Sequence, residues 1–71
     1  MTKTSGLKVG SKLDWYYTGD KSDGLSYTMT VTHITKGKVY VEYVNEYGYH
    51  IKDDWSRRLL NRAHNIEVLS V

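Results

Sequence analysis

Ser26-Tyr27-Thr28-Met29-Thr30-Val31-Thr32-His33-Ile34-Thr35 carries the clearest β signal in the chain. It is dense in β-branched residues, which suit a pleated, half-buried surface. Tyr27, Met29 and Val31 alternate with Thr28, Thr30 and Thr32, so one face is apolar and the other wet. Ile34 breaks that parity, which predicts a bulge or a strand end near His33. Lys36-Gly37 reads as a short hairpin turn. Lys38 to Val44 then resumes the alternation. Val39, Val41 and Tyr43 fall on one side, and Tyr40, Glu42 and Val44 on the other.

Outward from this hairpin the chain keeps the same grammar. Upstream, Lys12 to Tyr17 is a strand candidate in which Leu13, Trp15 and Tyr17 share a face. Thr18 to Gly24 is loop chemistry, with glycines for positive φ and aspartates that bond nearby backbone. Downstream, Asn45 to Gly48 is a second turn leading to a short strand at Tyr49 to Ile51. Asp53 to His64 changes period, with no glycine and no β-branched residue. There Trp55, Leu59, Leu60 and Ala63 fall on one side of a helical wheel, and Arg57, Arg58 and Asn61 on the other. Asp53 or Asp54 suits the N-cap, and Asp53–Arg57 and Asp54–Arg58 are i,i+4 pairs in the favoured order. Asn65 suits the C-cap, and Ile66 to Val71 returns to strand.

The expected fold is therefore mainly β: a small five-stranded antiparallel barrel with one short helix before the last strand. An open sheet with the helix laid across one face is the competing arrangement. Residues 1–6 are expected as a flexible N-terminus and 7–71 as the single small domain. The expected core is Trp15, Met29, Val31, Val39, Val41, Trp55, Leu59, Ile66 and Val68.

Composition narrows the function. The chain has 71 residues, 39% hydrophobic and 25% charged, with a formal net charge of +2. A domain this small buries only about 60% of the surface its unfolded chain exposes, too little to house a large cofactor beside a substrate pocket. Cysteine is absent, which removes disulfides, thiol nucleophiles and thiolate metal sites. No apolar run approaches the ~20 residues of a membrane span. No secretory signal is recognisable at the N-terminus, so a cytoplasmic location is expected. The glycines match neither dinucleotide nor phosphate-loop spacing. No serine sits in a Gly-flanked nucleophile elbow. Asp53 and Asp54 would point about 100° apart on a helix, a poor acid–base pair and a good helix start. His33, His50 and His64 are too widely spaced to form a motif. The expectation is a non-enzyme without cofactor or metal.

Several short pieces resemble Tudor-like and chromo-barrel domains, small barrels of the Src-homology-three type. Val9-Gly10-Ser11-Lys12-Leu13 resembles their opening, and Tyr27 to Val31 with Lys38 to Tyr43 resembles their central hairpin. Asp53-Asp54-Trp55 followed by Arg58-Leu59 is similar to the acidic-acidic-Trp segment that closes chromo barrels. The resemblance covers roughly residues 8 to 69 and implies a barrel. It also implies a cage for methylated lysine if three or four rings converge; Trp15, Tyr16, Tyr40, Tyr47 and Tyr49 are available for it. The helical reading after Trp55 departs from that pattern. Size and economy instead resemble a small bacterial or phage protein.

Two binding readings remain. Small barrels present edges and aromatic surfaces that accept peptides or strands, and tyrosine and tryptophan anchor hot spots. This favours a small regulatory adaptor or inhibitor engaging a larger protein partner, one that handles nucleic acid, with the chain itself a monomer or a homodimer. The alternative is direct DNA or RNA binding through Lys36, Lys38, Arg57, Arg58 and Arg62, with Tyr16, Tyr40, Tyr47 and Tyr49 stacking on bases.

Overall fold

The computed structural model describes residues 3–71. Its elements run β1 (Lys12–Trp15), a 3-10 turn (Lys21–Asp23), β2 (Tyr27–Ile34), β3 (Lys38–Val44), β4 (His50–Ser56), α1 (Arg57–Arg62) and β5 (Ile66–Ser70). The strands form one antiparallel sheet in the order β4-β3-β2-β1-β5.

The β2–β3 hairpin follows the sequence closely. Met29 and Val31 are buried, and Val31 lies opposite Val41. The register then shifts between Val31 and His33, so that His33 pairs with Tyr40 and Ile34 with Val39. One extra residue on β2 restores Ile34 to the apolar face, where it packs half-buried against the core. The broken parity in the sequence is thus the trace of a bulge. At the far end, Asn45 Oδ1 accepts the backbone N–H of Tyr47 (2.9 Å) and of Tyr49 (3.0 Å). Gly48 closes this turn at φ +83°, a conformation that an L side chain rarely adopts.

The helix differs from expectation. Asp53, Asp54 and Trp55 lie in β4, which pairs without interruption from Val44↔His50 to Lys38↔Ser56. Seven residues on β3 offered a complete ladder, and that pairing overrides the helical pattern of the segment. Asp54 then faces Tyr40 across the ladder, and its carboxylate meets Lys38 Nζ at 2.7 Å. The expected Asp53–Arg57 and Asp54–Arg58 pairs therefore do not form. Ser56 is the N-cap, accepting Leu59 N–H at 3.3 Å, and Ala63 rather than Asn65 is the C-cap. Asn65 instead brackets Tyr16: its carbonyl accepts Tyr16 N–H at 2.8 Å and its Nδ2 donates to Tyr16 O at 3.1 Å.

The sheet is not closed into a barrel. β4 and β5 are its two margins, and α1 links them on the core side. Leu60 fills that space at 0% exposure, together with Leu13, Met29, Val31, Val39, Val41 and Ile66. Leu59 is a correction to the expected core: it is 61% exposed. Starting the helix at Arg57 turns Leu60 and Ala63 inward, while Leu59 sits about 100° round the wheel. Trp15, Trp55 and Val68 are half-buried against the core, and Leu13 belongs to it as well.

Of the six N-terminal residues expected to be flexible, Met1 and Thr2 lie outside the described residues. Lys3 Nζ donates to the carbonyls of Ala63 and Ile66. Burial lowers the Lys3 pKa from its ordinary value. Thr4 is buried; its N–H donates to Asn61 Oδ1 (2.9 Å) and its carbonyl accepts Arg57 Nη2 (3.2 Å). No helix among the described residues is long and apolar enough to cross a membrane.

Candidate partner-binding face

Strand parity decides which aromatic rings meet. Trp15 and Tyr17 continue the apolar face of β1, Tyr27 opens that face on β2, Tyr43 extends it on β3, and Trp55 lies on it in β4. All five converge. The Trp15 ring is 5.5 Å from Trp55, 5.7 Å from Tyr27, 5.9 Å from Tyr43 and 6.3 Å from Tyr17. Its contacts with Trp55, Tyr43 and Tyr17 are edge-on, an arrangement that ring quadrupoles favour. The tyrosines stack on one another, Tyr17 on Tyr27 at 4.4 Å and Tyr27 on Tyr43 at 4.9 Å. Four of these residues are half-buried, whereas Tyr17, at the end of the stack, is 40% exposed. The core thus opens at one end of the sheet into an aromatic surface. Trp55 Nε1 is buried there with no acceptor among the described residues.

Carboxylates border the stack. The Tyr27 hydroxyl donates to Glu46 Oε2. That bond, then burial and the Glu46 charge, push the Tyr27 hydroxyl up to about 12. The same bond and a backbone bond hold Glu46 below the usual carboxylate range. Burial raises the Tyr43 hydroxyl as well, with the charges of Asp53 and Glu46 adding to it. Asp53 shares its parity with Ile51 and Trp55 but remains exposed. An inward-facing charge on a marginal strand also discourages edge-to-edge pairing.

The rings expected from the sequence are mostly elsewhere. Trp15 alone of the expected cage set joins the cluster. Tyr16 turns to the opposite face, where its hydroxyl donates to Glu67 Oε2 at 3.3 Å and Lys21 Nζ lies 5.8 Å from its ring centre. Tyr47 and Tyr49 stand in the β3–β4 turn, 77% and 68% exposed. Tyr40 is on the outer face beside His33. The converging rings fill the space between them, and no pocket opens among the described residues. They form a surface rather than a cage. The sequence puts Tyr17, Tyr27 and Tyr43 on the apolar faces of their strands, but nothing in alternation alone shows that rings from three strands meet.

The cations divide. Lys36, Lys38, Arg57 and Arg58 lie at the end of the sheet opposite the β3–β4 turn, while Arg62 closes α1. No cluster of three or more His, Asp or Glu side chains among the described residues could hold a metal ion.

No protein-family model matches this chain, and neither the curated proteins nor the solved structures give a match.

Proposed function

We propose that the chain is a non-catalytic binding module whose aromatic face takes a basic segment of a protein partner. The observation that carries this reading is the five-ring cluster around Trp15, open at Tyr17 and flanked by Glu46 and Asp53. Part-exposed tyrosine and tryptophan supply large contact area at low entropic cost and anchor interfaces. A planar guanidinium adds naturally as the next layer of a tyrosine stack, and the neighbouring carboxylates favour its charge. In this reading Tyr17 is the docking ring, Tyr27 and Tyr43 hold it in place, and Glu46 and Asp53 select for cations.

Both tryptophans of the chain belong to the cluster, so intrinsic fluorescence reports on it directly. Titration with a short arginine-glycine peptide should shift or quench that emission, and a glutamate-glycine peptide should not. Tyr17→Ala should weaken the response at least about fivefold, the loss of one stacked cation contact of roughly 1 kcal/mol. Equal responses to both peptides, or an unaffected Tyr17→Ala variant, would sink the reading.

A further inference from the structure

The other end of the sheet gathers cations that are far apart in sequence. The turn between β2 and β3 is closed by Thr35 N–H to Lys38 O at 2.9 Å, and Lys36 is exposed within it. Arg57 N–H donates to Gly37 O at 3.0 Å, which ties the start of α1 to the same turn. The backbones of Lys36, Lys38, Arg57 and Arg58 are therefore brought together beside one turn. Asp54 answers Lys38 at 2.7 Å, and Thr4 O accepts Arg57 at 3.2 Å. Lys36 and Arg58 are exposed, and neither side chain makes a hydrogen bond or ion pair with another described residue.

A pair of rings borders these charges on the outer face. His33 and Tyr40 stand opposite each other across β2 and β3, with ring centroids 5.5 Å apart. Both residues are exposed. Tyr40 lies two residues beyond Lys38, on the same side of β3. Cations at the turn, with Lys38 on the same side of β3 as the exposed Tyr40 ring, match the two needs of an unpaired nucleotide strand: charge for its phosphates and a ring face for a base. A phosphopeptide or an anionic membrane would use the charges but leave the rings idle.

We infer that this end binds single-stranded nucleic acid, with Lys36 and Arg58 on phosphates and Tyr40, backed by His33, under a base. Lys38 and Arg57 supply further charge when the strand displaces their internal partners. The site shares no residue with the aromatic face. It lies about 20 Å from the β3–β4 turn, the length of a seven-residue strand. Trp55, opposite Val39, brings the aromatic face close to this end, whereas Tyr17, Tyr27 and Glu46 stand toward the β3–β4 turn.

The test is fluorescence anisotropy with a labelled dT oligomer about twelve nucleotides long, a length set by typical single-strand site sizes. Micromolar binding is expected at low salt. Three or four phosphate contacts predict a slope of log K against log salt of about −2 to −3. Lys36→Ala with Arg58→Ala should flatten that slope by about 1.4. Tyr40→Ala should weaken oligomer binding about fivefold or more through lost stacking. It should leave binding of inorganic polyphosphate, which has charge but no bases, unchanged. Tyr40→Leu serves as a second variant that keeps a strand-compatible apolar residue, and circular dichroism confirms folding of each. Tyr17→Ala, at the other end, should bind the oligomer normally. Absence of oligomer binding at low salt overturns the inference. So does a Tyr40 variant that binds both polymers like the parent, which would mean a plain polyanion surface, or a loss that follows Tyr17 instead.

Discussion

Tyr27 and Glu46 form the most informative polar contact of the molecule, because it is built from two groups that each titrate. The Tyr27 hydroxyl is raised from 10.0 to about 12, and Glu46 is held below its ordinary 4.5. The folded chain thus keeps the Tyr27 proton more tightly than the unfolded chain, and holds a Glu46 proton less tightly. Stabilisation from Tyr27 is complete below pH 10 and fades as pH rises towards about 12. Stabilisation from Glu46 is complete above its unfolded value and fades as pH falls below 4.5. Tyr27→Phe keeps the ring and its stacking on Tyr17 and Tyr43 but removes the bond. The difference in Tm between parent and variant should therefore be largest between these limits and shrink at both extremes of pH. A difference independent of pH would show that the bond is not made in solution.

The helix carries a sharper lesson about local pattern. Leu59 and Leu60 are neighbours of the same residue type, and both fit the apolar side of a helix spanning Asp53 to His64. The real helix is six residues long and begins only after β4 has completed its ladder with β3. That start turns Leu60 into the core and leaves Leu59 61% exposed. Leu60→Ala should lower the unfolding free energy by about 2–5 kcal/mol through lost burial and a residual cavity. Leu59→Ala should change it by less than about 0.5 kcal/mol, as surface substitutions do. Urea denaturation of both variants checks the pair, and equal losses would contradict the orientation of α1. By contrast, the β2–β3 hairpin was legible down to its bulge. Its register is set by a short turn and by alternation that buries one face, and a slip of one residue would put Met29 and Val31 in water.

Across the whole molecule, the open side of the sheet is covered by groups from both ends of the chain. Asn61 on α1 accepts Thr4 N–H, Arg57 donates to Thr4 O, and Lys3 reaches the carbonyls beyond the helix. Asn61→Ala should therefore cost about 1 kcal/mol for the lost hydrogen bond. It should also speed amide exchange at Thr4 well beyond any change on β2. Unaltered exchange there would show that the N-terminal segment does not depend on this dock. The net charge of +2 likewise conceals an arrangement. Lys36 and Arg58 stand at one end, and Glu46 borders an aromatic surface near the other.

Alternation, turn residues and the absence of cysteine already specified a small, mainly β chain of five strands with one helix before the last. Those features depend on neighbours a few positions away, where period and turn chemistry act directly. The extent of β4, the open margin between β4 and β5, and the set of converging tyrosines came only with tertiary structure. Each depends on which distant backbone completes a ladder and which inward side chains then meet. A tyrosine on the apolar parity reads the same in sequence whether its ring ends inside the core or at its open edge.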